Sequence, residues 1–320
     1  MNQYLFIREY SYDDVQLIPK KCLVDSRSEC DTTIKFGNKT FDLPIVPANM
    51  KTIVDEKLCI LLAQKNLFYV MHRFDVDVFQ FCKNMKDKGL YISISVGVNE
   101  DSYELLNKLK EEKICPDYIT IDIALGNSEK MKKMIAFIKD SFKTNSFVIA
   151  GNVATSEDVM TLENWGADCI KIGISNGMAC TTFQNTGFGR PQVSTIIDCC
   201  TVAKKPIIAD GGIRYYGDIA KAITLGANMV MAGGLFAGHE ESPGRMIEIN
   251  GKLMKEYFGS ASKYNKDEYR NIEGRQIMID FKGSIFRTYK EIKENLQSSI
   301  SYSGGKNLSS LSTVDYVIVK

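Results

Sequence analysis

The sequence predicts an α/β fold, a single (β/α)8 TIM barrel over residues 1–320, with a long catalytic loop after strand 6 and an insertion after strand 8. Three observations lead there. Eight short β-rich runs recur along the chain: Ile45 to Ala48, Phe68 to Val70, Tyr91 to Val96, Tyr118 to Ile123, Ser146 to Ala150, Cys169 to Ile172, Pro206 to Asp210 and Met229 to Ala232. They are nearly continuous in apolar character instead of alternating, which suits parallel strands covered on both faces. Stretches of about ten to fifteen residues with helical spacing separate them. Eight strands alternating with helices close a barrel, whereas a doubly wound sheet usually has fewer strands and a glycine-rich first turn.

The clearest helix follows the fourth run. From Ser128 to Asp140, behind an Asn/Ser cap, Met131, Met134, Ile135 and Ile138 fall at i, i+3, i+4 and i+7. The sixth and eighth runs are entered by similar stretches, WGADCIKIG (165 to 173) and LGANMVMAG (225 to 233). Each closes a helix with glycine and runs straight into a strand, a weak internal repeat of one αβ unit. Two connections break the rhythm: Gly173 to Val193 after the sixth strand and Gly233 to about Ser284 after the eighth. Long loops in a compact domain are usually functional, and both leave C-terminal strand ends, the catalytic face of a barrel.

Composition narrows the function classes. Lys and Arg number 40 against 39 Asp and Glu, for a formal net charge of +1, with 44% hydrophobic and 25% charged residues. That balance supplies no broad attraction to nucleic acid or to an anionic membrane. No apolar run approaches the roughly 20 residues that cross a bilayer, and the N-terminus lacks a basic stretch followed by an apolar one. A cytoplasmic protein is the expectation. The nine cysteines are scattered without a C-x-x-C pair and read mostly as buried thiols. With two histidines, His72 and His239, well apart in sequence, neither a zinc site nor a histidine-based triad is expected. The G-x-G-x-x-G and Walker-type nucleotide fingerprints are absent.

The residues that could carry chemistry cluster at strand ends. Asp210-Gly211-Gly212 follows the seventh strand and Gly233-Gly234 the eighth. Paired glycines there let backbone N–H groups approach a phosphate, and they also simply make tight turns. Cys180 lies in the glycine-rich sixth loop beside Thr181 and Thr182, where an exposed thiolate can act as nucleophile with a hydroxyl moving protons. Cys199-Cys200 reads as helix packing. Glu273 offers a carboxylate for acid/base work or a solvated charge, and Asp122 and Asn152 reach the same face or cap turns.

The segments YSYDDVQLIPKKCLVDSRSEC, FDLPIVPANMKTIVDE, YITIDIA, VIAGNVAT, NGMACTTFQNTGFGRPQ, IIADGGIRYYGDIAKAI, FAGHEESPG and EGRQIMIDFKGS closely resemble the IMP dehydrogenase/GMP reductase family, in order along essentially the whole chain. Two features resemble its reductase branch. No space exists between Phe68 and Tyr91 for the dehydrogenases' inserted regulatory module, and the stretch from Ser260 to Glu273 is too short for their mobile Arg-Tyr flap, with the local order Tyr269-Arg270. The C-terminal LQSSISYSGGKNLSSLSTVDYVIV resembles the bacterial-type reductases.

The resemblance implies reduction of GMP by NADPH to IMP and ammonia, with Cys180 attacking the purine C2 and Thr182 and Glu273 managing protons. It implies Asp210 on the ribose, Gly211, Gly212, Gly233 and Gly234 on the phosphate, and Gly259, Ser260, Arg270 and Gly274 around the base. Ser26, Arg27, Arg73, Asp122, Ala124, Asn152, Tyr302, Ser303, Gly304 and Gly305 would serve NADPH, the last four from a neighbouring subunit of a homotetramer. Backbone carbonyls of Ser175, Gly177 and Cys180 would hold a monovalent cation, potassium. Three positions depart from the family pattern: Ser175 stands in the usual G-x-G, Phe183 replaces a basic residue, and Leu125 replaces a polar one. A dehydrogenase lacking the regulatory module and a catalytically weakened purine-nucleotide binder are the alternative readings.

Overall fold

The computed structural model describes residues 8–259 and 274–319. Strand β1 (Val15–Leu17) leads into a hairpin, β2 (Ile34–Phe36) and β3 (Lys39–Phe41), which turns at Gly37 with φ of +59°. Seven parallel strands then curl into the barrel wall: β4 (Ile45–Pro47), β5 (Ser93–Val96), β6 (Tyr118–Asp122), β7 (Phe147–Val153), β8 (Cys169–Ile172), β9 (Ile207–Asp210) and β10 (Met229–Ala232). Their order is β4-β10-β9-β8-β7-β6-β5. Four of them, β4, β5, β8 and β10, are buried at every residue, Ser93, Ser95 and Lys171 included.

The eighth expected strand differs. Phe68, Tyr69 and Val70 are completely buried, yet they form no ladder, and only Met71 bridges in parallel to Ile94. Tyrosine hydroxyls satisfy backbone groups that a ladder would have paired. The Tyr69 hydroxyl donates to the Tyr91 carbonyl at 2.6 Å and accepts the Ser93 N–H at 3.3 Å, while the Tyr91 hydroxyl donates to the Leu67 carbonyl at 2.6 Å. The segment completes the barrel by side-chain hydrogen bonds and burial.

Helices cover the wall: α1 (Glu56–Gln64), α2 (Val78–Asp87), α3 (Glu100–Glu111), α4 (Glu129–Phe142), α5 (Ser156–Asn164), a short α6 (Thr182–Thr186), α7 (Gln192–Val202), α8 (Tyr216–Thr224) and α9 (Ile285–Tyr302). Several start on a side-chain cap: Asp55 accepts the Leu58 N–H at 2.8 Å, Asp77 that of Gln80 at 2.9 Å and Ser128 that of Met131 at 3.3 Å. In α4 the expected Met131, Met134, Ile135 and Ile138 all face the core. The two repeated stretches close alike, with Gly166 at φ +102° after α5 and Gly226 at φ +115° after α8, conformations that favour glycine.

One end of the barrel is plugged. Phe36 and Phe41 from the hairpin are buried, with ring centroids 5.2 Å and 5.1 Å from Phe68, and Phe36 also packs on Tyr118 and Phe147 at 6.0 Å and 5.1 Å. Tyr118 and Phe147 open β6 and β7, so the aromatic plug fills the N-terminal ends of the strands. The opposite end carries the loops. Phe36→Ala is expected to cost about 3–5 kcal/mol in urea denaturation, because an aromatic removed from a close-packed cluster leaves a cavity.

The insertion after β10 is a three-stranded antiparallel sheet, β11 (Met246–Ile249), β12 (Lys252–Phe258) and β13 (Gln276–Asp280). The last strand, β14 (Tyr316–Ile318), returns to pair antiparallel with β1.

Candidate active site

Four adjacent strands end in one polar network on the loop-bearing face. Lys171 points inward from β8 and is 2% exposed. Its ammonium lies 2.8 Å from Asp122 Oδ1 at the end of β6 and 2.7 Å from Asp210 Oδ2 at the end of β9, and it also donates to Asn152 Oδ1 on β7. All three of its donors are thus engaged. Asn152 Nδ2 donates to Asp210 Oδ2 at 2.9 Å and to the Gly173 carbonyl at 2.8 Å, and Asn49 Nδ2 donates to Asp122 Oδ2 at 2.9 Å. Gly151 permits this proximity, since a Cβ there would lie 2.7 Å from the Lys171 Cβ.

The electrostatics are those of a shared buried charge. Burial works against the Lys171 ammonium, but Asp122 and Asp210 outweigh it and raise its pKa. Burial likewise pushes Asp122 up, and Lys171, Asn49 and Arg73 reverse this, leaving the carboxyl below its ordinary range. Arg73 donates to the Asp122 carbonyl at 3.3 Å and lies over the Phe74 ring at 4.7 Å, while its Nε is buried without a partner.

Beside this network lies the sixth loop. Gly173 turns out of β8 at φ +131°, and the loop is tied down on both sides. Asn176 Nδ2 donates to Gln192 Oε1 at 2.6 Å, Gly212 N–H to the Asn176 carbonyl at 3.0 Å, and the Arg190 guanidinium binds Asp198 at 2.6 Å and Glu9 at 3.1 Å. Cys180 bridges antiparallel to Gly274, the Arg275 N–H donates to the Ala179 carbonyl at 3.0 Å, and a Cβ on Gly259 would lie 3.5 Å from that carbonyl. Both described ends of the insertion therefore meet the loop at the cysteine. Cys180 Sγ lies 3.1 Å from Thr182 Oγ1, and the thiol is partly exposed. Tyr257 from β12 reaches into the space left by Gly233, where a Cβ would collide with its hydroxyl. Burial first, then the charges of Asp210 and Cys180, raise the Tyr257 pKa, so the phenol stays neutral.

A model of the IMP dehydrogenase / GMP reductase domain matches residues 9–319. The chain belongs to this family. Among its relatives, a protein of Acidovorax sp. (strain JS42) named GMP reductase is 54% identical over 312 residues, 97% of this chain and 96% of the relative. One of Staphylococcus aureus (strain JH9), also named GMP reductase, is 55% identical over 314 residues, again 97% and 96%.

Within the family frame, the expected residues fall into two groups. Arg73, Asp122, Asn152, Asp210 and Cys180 gather at the loop-bearing end. Ser26 and Arg27 gather elsewhere, on the C-terminal turn of α9, where Arg27 donates to the Tyr302 hydroxyl at 3.0 Å and to Ser298 Oγ at 3.1 Å. Helix α9 runs alongside α8, with the Tyr216 hydroxyl donating to Glu291 at 2.6 Å. Barrel helices run opposite to their strands, so Tyr302, buried Ser303, Gly304 and Gly305 lie toward the plugged end. Asp31 N–H, two residues before Thr33 and the hairpin, donates to the Lys306 carbonyl there at 2.8 Å.

Gly211 N–H donates to the Met231 carbonyl at 3.1 Å and Gly212 N–H to Asn176, and both have positive φ, so their N–H groups serve the turn. Glu273, Ser260 and Arg270 lie outside the described residues. Ala124 follows β6, with Leu125 next to it exposed. Ser175 Oγ accepts the Phe183 backbone N–H at 2.9 Å, giving α6 a starting anchor, while the Phe183 side chain is exposed. Lys171, Asn49 and Tyr257 were not singled out from sequence. For Lys171 the signal was present, a single charge inside the apolar run Cys169 to Ile172.

Proposed function

We propose that this protein reduces GMP with NADPH to IMP and ammonia through a covalent adduct on Cys180. The observation that carries the reading is the 3.1 Å contact between Cys180 Sγ and Thr182 Oγ1, on a loop fixed beside the ionised network of Asp122, Lys171 and Asp210. The names of the relatives support the choice of reaction. The connection from Met71 to β5 holds only α2, which supports the reductase branch and a chain without an inserted module.

In this reading Asp210 holds the ribose hydroxyls, since its Oδ2 takes Lys171 and Asn152 and leaves Oδ1 to accept from a ligand. The Cys180 thiolate forms a bond to C2 of the purine as the bond from C2 to the amino nitrogen breaks. An amino group leaves poorly unless protonated, and Thr182 with Glu273 delivers the protons that release it as ammonia. NADPH, when bound, would supply a hydride to C2, and the C2–S bond then breaks, releasing IMP and returning Cys180 as the thiolate. Arg73 and Asp122, the residues that would hold NADPH, lie together at the loop-bearing end, where the Arg73 Nε is buried without a partner.

The separation of Arg27 and Tyr302 from Cys180 supports a homo-oligomer, a tetramer, in which the end of α9 completes a neighbour's cofactor site. A potassium ion on the carbonyls of Ser175, Gly177 and Cys180 would steady the cysteine loop. The Gly177 carbonyl already accepts the Cys180 N–H at 3.0 Å and keeps a second lone pair for it. No helix among the described residues is long and apolar enough to cross a membrane.

The test is loss of NADPH absorbance on adding GMP, beside formation of NADH from IMP and NAD. GMP-dependent oxidation is the expected result. Activity with IMP and NAD alone would make the chain a dehydrogenase, and GMP binding without either activity would make it a nucleotide binder.

A further inference from the structure

Lys171 takes no part in the chemistry above, yet it is the most deeply buried charge at the site. We propose that Lys171 is a positioning residue that couples the substrate and cofactor sides, one ammonium holding Asp122 and Asp210 in place together. This rests on the reading that Asp122 serves the cofactor and Asp210 the ribose.

The geometry leaves Lys171 no other partner. Its ammonium meets Asp122 at 2.8 Å, Asp210 at 2.7 Å and the Asn152 amide oxygen, and its side chain is 2% exposed while those of the two carboxylates are 17% and 21% exposed. The cation thus lies beneath two acids whose outer edges remain open to ligands. One positive charge is divided between two negative ones, so whatever changes the charge of one acid changes what Lys171 offers the other. The outer supports are separate: Asn49 and Arg73 serve only Asp122, while Asn152 serves only Asp210 among the two acids. Tyr257 is the further titratable group facing Asp210. Lys171 alone spans both sides.

Three variants test this by titration calorimetry with GMP and with NADP+ as separate probes. Asp122→Asn removes one negative charge but keeps the Lys171 to Asp210 pair. Lys171 then neutralises Asp210 more fully, making it a weaker acceptor, and GMP affinity is expected to fall on the order of fivefold although residue 122 belongs to the other side. Lys171→Met is expected to weaken both GMP and NADP+ by about tenfold, with Lys171→Arg restoring most of both. It should also introduce a pH dependence. Asp122, stripped of the cation that holds its carboxyl below the ordinary range but still flanked by Asn49 and Arg73, would take up a proton more readily as pH falls, so affinity drops on the acid side. The unaltered protein should bind both ligands with a flatter profile there.

A merely structural lysine would lower the melting temperature and leave both affinities and the pH profile unchanged. Unchanged GMP affinity in Asp122→Asn overturns the proposal, and this variant decides even where Lys171→Met does not fold. Unaltered protein that binds neither GMP nor NADP+ overturns the functional reading and this inference with it. Binding of both by the unaltered protein, with variants indifferent, overturns this inference alone.

Discussion

Cys180→Ala is expected to cut GMP-dependent NADPH oxidation by about 10^4-fold or more while leaving GMP binding close to intact. In the proposed mechanism the Cys180 thiolate forms the covalent bond on which departure of the amino group depends. Thr182→Val, which keeps the shape and removes the hydroxyl 3.1 Å from the sulfur, is expected to cost about 10²–10⁴-fold, the usual range for one proton-transfer group. Cys200→Ser provides the contrast. Burial pushes the Cys199 and Cys200 thiols up to about 12, so both stay protonated and inert at neutral pH. Steady-state rates with calorimetric GMP binding on the same preparations separate the effects. A Cys180→Ala protein that still turned over GMP would remove the covalent adduct from the mechanism.

How much of this was legible in the sequence depended on how local the signal was. Barrel strands were readable because β4, β8 and β10 are apolar at nearly every position, as strands covered on both faces are. The segment Phe68 to Val70 has the same composition, but whether it forms a ladder depends on Tyr69 and Tyr91 hydroxyls arriving across the sheet, which no local window contains. Cys180 was legible from its glycine-rich setting. The paired glycines were legible as turns, while the acceptors of the Gly211 and Gly212 N–H groups, Met231 and Asn176, come from distant parts of the chain and were not readable locally. Lys171 carried a visible signal, one charge in an apolar strand, whose meaning required the partners Asp122 and Asp210 on other strands. The aromatic plug likewise depends on a hairpin folding back under strands that follow it.

Gly173→Ala should be the most damaging single-atom addition near the site. Gly173 is where β8 turns into the cysteine loop, at φ +131°, a conformation that side chains rarely adopt. Its added Cβ would also collide with the Asp210 carbonyl and lie 2.9 Å from Gln192 Oε1. Neither neighbour can yield cheaply, since Asp210 ends β9 and Gln192 is buried, holding the Ile172 carbonyl at 3.2 Å and Asn176 at 2.6 Å. Backbone strain and overpacking together are expected to cost about 4 kcal/mol in chemical denaturation. The folded fraction should also lose activity, because relief of the collision moves Asp210, the proposed ribose acceptor and one partner of Lys171. Gly217→Ala is the matched control. It lies within α8 with nothing near its added Cβ, and there alanine is expected to stabilise by about 0.4–1 kcal/mol. Equal effects of the two substitutions would mean that the turn at Gly173 adapts, and that the cysteine loop is not fixed in the way its contacts with Gln192 and Asp210 require.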